Sequence, residues 1–171
     1  MIPRIAKIAT AASIAAFLTM VTFGNLTDYD TNFAFVQHVL AMGTIFATST
    51  ITYRAVTNPL LHHLAYGLII ATQAIVSVLC WIGVFRLLRR LRADALTFNS
   101  AKNLLVAGLS LAFLLYQLGF VTVGGEWFGM WMSPQWNGVP SAFRFLITII
   151  AVLIFVALPD GELAGPSPRA R

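Results

Sequence analysis

Three histidines are the residues of this sequence best suited to hold a metal ion or a haem: His38, His62 and His63. Neutral imidazole is a common ligand of transition metals and of haem iron. Neighbouring residues on a helix point about 100° apart, so only one of the adjacent His62 and His63 could share a site with His38. A haem-, metal- or quinone-binding electron-transfer protein is therefore one hypothesis for this chain.

The same region also offers these rings a structural role. Asp28, Asp30 and Met42 lie close to His38 in sequence and could complete a metal site. The two aspartates could equally accept hydrogen bonds from His38 and from one ring of the adjacent pair. This second interpretation needs no bound group, and no cofactor is predicted from the spacing alone.

A second stretch, "GGEWFGMWMSPQW" from Gly124 to Trp136, holds three of the chain's four tryptophans. Tryptophan rings favour the headgroup level of a bilayer, and they are also enriched at the centres of protein interfaces. The stretch is thus either an aromatic belt or a contact surface for a partner. The residues that would make such contacts are Trp127, Phe128, Trp131 and Trp136.

The sequence contains few residues or motifs that would indicate catalysis. Glu126 is the only carboxylate of the tryptophan-rich stretch, and we expect it to form a salt bridge with Arg144. The single cysteine, Cys80, lies within a long apolar run and suits a small buried hydrophobic residue. The sequence shows no phosphate-binding glycine loop, nucleophile elbow or HExxH pattern, so no catalytic residue is predicted.

Composition identifies the class of protein that positions these residues. Hydrophobic residues make up 58% of the chain, charged residues only 10%, and the mean hydropathy is +0.82. Soluble domains do not reach these values, so the sequence predicts an integral membrane protein in contact with a lipid bilayer. The formal charge of +5 reflects membrane topology and does not indicate nucleic-acid binding.

Four apolar stretches are long enough to cross a bilayer, which takes roughly 20 residues of helix. They lie at about residues 5–23, 59–90, 101–123 and 141–158. The fold class predicted is all-α, a four-helix transmembrane bundle within one domain over residues 1–158. The Pro- and Gly-rich residues 159–171 are expected to form a short, disordered cytoplasmic tail.

The distribution of basic residues predicts the orientation. With four spans, nine of the 11 basic residues fall on one side, which the positive-inside rule assigns to the cytoplasm. Both termini are then cytoplasmic, and the other two connections face outward. The nine are Arg4, Lys7, Arg86, Arg89, Arg90, Arg92, Lys102, Arg169 and Arg171.

The first outward connection, residues 24–63, is too long for a turn. Apolar residues recur at helical spacing over Asn32 to Met42, which predicts a short amphipathic helix. Residues 49–56 fit either a short helix or a strand. We expect this connection to form an extended periplasmic cap over the bundle.

Polar and small residues within the spans suggest how the helices pack. Gln73 and Gln117 lie on antiparallel spans and are expected to hydrogen-bond to each other. Small residues favour close packing within the bundle or against another protein. They are Ala11, Ala12, Ser13, Ala15 and Ala16 in the first span, and Ala107, Gly108 and Ser110 in the third.

Several motifs in combination resemble a known bacterial family. They are "FGNLTDYDTNFAFVQHVL", "LHHLAYGLIIATQA", "FNSAKNLLVAGL" and "GGEWFGMW", followed by "WNG" and "AFRF". The chain is similar over nearly its whole length, up to about Leu158, to the predicted small integral membrane proteins of unknown function. This resemblance implies a bacterial inner-membrane location and implies no reaction.

Three functional hypotheses follow. The first is a non-catalytic accessory or assembly subunit of a larger inner-membrane complex, respiratory or photosynthetic, with membrane-protein partner subunits. The second is the electron-transfer protein described above. The third is a small transporter or lipid-binding protein, for which a polar cavity lined by Gln73, Tyr116 and Gln117 would be the evidence.

Overall fold

The computed structural model describes residues 1–163, in which every regular element is a helix and no strand occurs. Four helical stretches are long and apolar enough to cross a membrane, as the sequence predicted: Ile2–Thr27, Pro59–Arg89, Ala95–Trp127 and Val139–Ala157. In chain order the α-helices are α1 (Ile2–Thr27), α2 (Tyr29–Ala41), α3 (Pro59–Arg89), α4 (Ala95–Ser100), α5 (Asn103–Leu114) and α6 (Val139–Ala157).

Helix α5 continues without a break into a π-helical segment, Leu115–Trp127. Its wider turn is visible where the Phe128 N–H donates to the carbonyl of Val123 over 3.0 Å, five residues back. The Thr122 hydroxyl bonds the carbonyl of Gln117 over the same interval. π turns are rare and are frequently found at functional sites. This segment is therefore a candidate location for a functional site.

The spans pack closely through small residues. A Cβ placed on Gly83 of α3 would lie 2.5 Å from the Cβ of Leu105 in α5, and one on Gly108 would lie 3.1 Å from Cys80 Sγ. Ala11 and Ala15 of α1 are fully buried. Three of the eight small residues noted in the sequence, Ala11, Ala15 and Gly108, are therefore buried inside this bundle, whereas three others are exposed.

The end of the bundle where α1 begins and α6 ends is closed by a buried ionic cluster. Lys7 of α1 and Lys102, which precedes α5, both donate to Asp160 Oδ2, and all three side chains are at most 5% exposed. Both lysines also donate to the carbonyl of Leu158 at the end of α6. Burial opposes ionisation of the Asp160 carboxyl, but the hydrogen bonds and charges of the two lysines outweigh it and hold its pKa below the usual value.

The same cluster fixes the beginning of the expected tail. Arg4, only 2% exposed, donates to the carbonyls of Leu91, Ala93 and Gly161. Asp160 and Gly161, which begin the expected tail, thus make hydrogen bonds to the bundle. The rest of the expected tail, residues 164–171, lies outside the described residues.

The opposite end is covered by a cap, made of residues 28–58 and 128–138. Helix α2 agrees with the amphipathic helix predicted over Asn32 to Met42, and residues 49–56 contain the 3₁₀ turn Ile51–Arg54. The Thr44 and Ser133 hydroxyls join the two parts of the cap at 2.8 Å. The cap has a small apolar core of its own, formed by Val39, Met42, Phe128 and Met130.

Candidate ligand-binding site

The three histidines do not converge on one site. His38 stacks on Trp136, with ring centroids 4.5 Å apart, whereas His63 stacks on Phe33 at 4.1 Å and lies 2.8 Å from the Tyr29 hydroxyl through Nδ1. His38 and His63 thus have separate aromatic partners. Across residues 1–163, no three His, Cys, Asp or Glu side chains lie close enough together to hold a metal ion.

His62 occupies a different environment from its neighbour. It is 2% exposed, and its Nε2 lies 2.7 Å from the carbonyl of Val56, so it ties the start of α3 to the cap. Its Nδ1 has no hydrogen-bond partner within the described chain. The predicted hydrogen bonds from histidines to Asp28 or Asp30 do not form in residues 1–163, because the rings turn towards aromatic residues and this carbonyl instead.

The tryptophan-rich stretch divides into buried and exposed parts. Phe128, expected among the contact residues, lies inside the cap at 7% exposure, and Trp136 packs on His38. Trp127 and Trp131 are 52% and 48% exposed. The guanidinium of Arg54 lies over the Trp127 ring, 4.7 Å from its centroid.

The expected polar pairs form with other partners or not at all. Gln73 Oε1 accepts a 2.7 Å hydrogen bond from the Asn25 side chain rather than from Gln117, because the end of α1 lies beside this part of α3. Glu126 and Arg144 are both exposed, and the described residues contain no ion pair between them.

An apolar groove lies between α2, α3 and the π-helical segment. Its volume is about 200 Å³. Helix α2 contributes Phe35 and Val39 to its walls, α3 contributes Leu68, and the π-helical segment contributes Gly119 and Val123. Leu68 and Val123 are themselves 69% and 46% exposed, so the groove opens on the apolar surface of the bundle.

A second hollow, which we call the polar recess, adjoins the groove. It has a volume of about 170 Å³ and shares part of its wall with the groove. The shared residues are Phe35, Val36, Ile69 and Phe120. The polar side chains of the recess are Asn25, Asn32, Tyr66, Gln73 and Tyr116.

Hydrogen bonds hold most of these polar groups in place. The Tyr66 hydroxyl donates to the carbonyl of Asn25 over 3.0 Å and lies 3.3 Å from its Oδ1. Asn25 Nδ2 in turn donates to Gln73 Oε1. In contrast, the Tyr116 hydroxyl is buried without a hydrogen-bond partner in the described chain. Because such a group costs about 1–3 kcal/mol, it calls for an explanation.

The sequence indicated only part of this site. Gln73 and Tyr116 stand out because polar residues are rare within spans, and both line the recess; Gln117, named with them, does not. Asn25 and Asn32 were missed, since they lie beyond the first span and carry no local signal. Their place in the site depends on how the end of α1 and helix α2 turn back over α3.

The helices and their hydropathy define a small integral membrane protein with four candidate spans. The model of the family described as "Predicted small integral membrane protein (DUF2165)" matches residues 3–159, and the chain belongs to that family. No curated protein and no solved structure matches the chain significantly.

Proposed function

We propose that this protein is a non-catalytic membrane protein that binds one amphiphilic membrane molecule, with its tail in the groove and its polar head in the recess. The observation that carries the proposal is that an apolar groove of about 200 Å³ and a polar recess of about 170 Å³ lie side by side and share four lining residues. An amphiphile likewise has an apolar part next to a polar part.

The head contributes most of the selectivity in this proposal. Lipid tails are as apolar as leucine, so moving a tail from the bilayer into the groove changes its free energy little. The polar head, in contrast, exchanges water or the headgroup region for the side chains of the recess. Each well-formed hydrogen bond there contributes about 0.5–1.5 kcal/mol.

The orientation follows from the charges, and we place the protein in the bacterial inner membrane. Seven basic residues of the described chain lie towards one end of the bundle: Arg4, Lys7, Arg86, Arg89, Arg90, Arg92 and Lys102. Arg54 and Arg144 belong to the opposite end. By the positive-inside rule, both termini face the cytoplasm, and the cap faces the periplasm.

An accessory or assembly subunit of a larger membrane complex remains a second candidate. It is favoured by the half-exposed Trp127 and Trp131 on the cap, since tryptophan is enriched at binding hot spots. Ala11, Ala15 and Gly108 already have partners inside the bundle, so the exposed tryptophans are the main support for this hypothesis. The two roles are compatible, because the tryptophans and the groove are different surfaces.

Of the three forms of the electron-transfer hypothesis, haem, metal and quinone binding, the quinone form is the one that agrees with this proposal. The three histidines have separate partners, which gives a shared haem or metal site no geometric support. A quinone is itself an amphiphile and falls within the proposed ligand class.

Native mass spectrometry of the full chain, purified from its own membranes in mild detergent, tests the proposal. We expect a one-to-one adduct with an amphiphile that survives the release of bulk lipid. Gly119→Phe fills the groove, since a Cβ at this position meets nothing closer than 3.7 Å, and should abolish the adduct.

Gly67→Phe is the matched control. Gly67 lies on α3 with nothing within 4 Å of its Cβ position and outside both hollows. Its adduct should persist unchanged. The proposal fails if no discrete adduct is found, or if Gly119→Phe and Gly67→Phe retain it equally.

A further inference from the structure

We infer that the head of the bound amphiphile is uncharged and carries a carbonyl-type acceptor oxygen, which receives hydrogen bonds from the Tyr116 hydroxyl and Gln73 Nε2. This inference rests on the proposed function and names its ligand class. A prenylated quinone and a diacylglycerol both have this chemistry, with ring carbonyls in the first and ester carbonyls in the second.

The hydrogen-bond chain in the recess determines which groups remain free. Because Tyr66 approaches Asn25 on its Oδ1 side, Asn25 presents Nδ2 to Gln73 Oε1. The amide of Gln73 is thereby oriented with Nε2 away from this bond and near the Tyr116 hydroxyl, but no hydrogen bond of normal geometry joins Gln73 to that hydroxyl within residues 1–163. An amide NH₂ only donates, so the group left for a ligand is a donor.

Tyr116 supplies the second donor. Its side chain is 2% exposed, it lines the recess, and its hydroxyl has no partner in the described chain. A phenolic hydroxyl donates readily to a carbonyl oxygen. Two donors facing one recess therefore suit an acceptor oxygen between them.

Charge considerations exclude ionic heads from the recess. None of its lining residues is Asp, Glu, Lys, Arg or His. An unpaired charge within a membrane bundle is expensive, and a phosphate head would find no cation here. The recess therefore disfavours anionic phospholipid heads, in addition to favouring heads that carry an acceptor oxygen.

The dimensions agree with this class. A cavity of about 150 Å³ is enough to hold a benzene ring, and the recess has about 170 Å³. Aromatic side chains form part of its wall, namely Phe35, Phe120 and Phe145. A flat ring or a glycerol ester group fits beside them, with its tail leading into the groove.

Four probes with short chains test the inference on the detergent-purified full chain, after its endogenous ligand has been removed by detergent exchange. They are decylbenzoquinone, dioctanoylglycerol, decylbenzene and decyl phosphate. Native mass spectrometry measures the fraction of chain that carries one probe at each concentration. We expect one or both carbonyl probes to bind at least about fivefold more tightly than decylbenzene, and decyl phosphate to gain nothing over it.

Tyr116→Phe should reduce binding of the preferred carbonyl probe by about fivefold and leave decylbenzene binding unchanged. It removes a hydroxyl without a protein partner, so it should not impair folding. Tyr53→Phe is the matched control, because Tyr53 is 76% exposed and outside both hollows. If the Tyr116→Phe chain does not fold, the comparison of the four probes on the unaltered chain still tests whether the site prefers a carbonyl head.

The outcomes separate the two proposals. Tighter binding of decylbenzoquinone assigns the site to quinones, and tighter binding of dioctanoylglycerol assigns it to diacylglycerols. Equal binding of all four probes, blocked by Gly119→Phe, keeps the amphiphile site but overturns the inference about the head. Preference for decyl phosphate also overturns it, whereas one-to-one binding of none of the probes contradicts the proposed function itself.

Discussion

Lys7 Nζ lies 2.7 Å from Asp160 Oδ2, and this buried ion pair joins helix α1 to the segment that follows α6. Lys102 donates to the same oxygen. One carboxylate therefore holds three separate parts of the chain at the end opposite the cap.

Asp160→Asn should strongly destabilise the bundle. The substitution removes the negative charge but leaves two buried lysines, and breaking a buried ion pair in this way costs about 3–5 kcal/mol. Equilibrium unfolding in mixed micelles measures the loss. Glu126→Gln is the control, because Glu126 is an exposed carboxylate without an ion-pair partner in the described chain. This variant should leave the unfolding free energy unchanged. Equal effects of the two variants would contradict this role of Asp160.

Stability should also fall in acid because of Asp160. Its carboxyl pKa lies below the ordinary value of 3.8 in the folded chain, so its contribution is complete above that value and is lost as the pH falls through the lower, folded-state pKa. Unfolding midpoints measured from pH 7 to pH 3 should drop below about pH 4. The drop should be smaller in Asp160→Asn.

A second carboxyl must be separated from this effect. The Thr97 backbone N–H lowers the pKa of exposed Asp94, so Asp94 also titrates in this range. The acid-induced drop should persist in Asp94→Asn. If the Asp94→Asn chain loses it and the Asp160→Asn chain retains it, Asp160 is not its source.

The close contact between α3 and α5 should make Gly83 intolerant of substitution. A Cβ at Gly83 would lie 2.8 Å from the Cα of Leu105, so the backbones must separate. Overpacking of this kind costs about 1–3 kcal/mol, and Gly83→Ala should lower the unfolding free energy accordingly. Gly67→Ala on the same helix meets nothing within 4 Å and should be neutral or stabilising; the reverse order would show that the contact is not close in the folded protein.

Much of this architecture could be predicted from the sequence for local physical reasons. The spans follow from runs of apolar residues, and the start of α3 follows from Asn58 and Pro59, since the Asn58 side chain accepts from the Leu60 N–H at 2.9 Å. Helix α2 follows from its apolar periodicity.

The remaining features depend on contacts between distant parts of the chain. Asp160 stands in a Pro- and Gly-rich stretch that has the composition of a disordered tail, and its partner Lys7 is 153 positions away. Similarly, the choice of Asn25 over Gln117 as the partner of Gln73 depends on where α1 ends relative to α3. No spacing within one span contains that information.

The two exposed tryptophans should matter for partners and not for stability. Trp127 and Trp131 are each about half exposed, at 52% and 48%, so Trp127→Ala with Trp131→Ala should leave the melting temperature nearly unchanged. If the protein is an accessory subunit, a mild-detergent pull-down at native expression should lose a stoichiometric set of membrane subunits. Phe143→Ala, at a position 56% exposed on α6, should retain them; loss in both variants would point to general disruption of the surface.

The most direct test of the proposed ligand site is an experimental structure of the chain crystallised from a lipidic mesophase with its native amphiphiles retained. The account predicts elongated density along the groove past Gly119 and Val123, ending in the recess with an oxygen within hydrogen-bond distance of the Tyr116 hydroxyl. A recess filled by water or by protein side chains, with no continuous density in the groove, would contradict it.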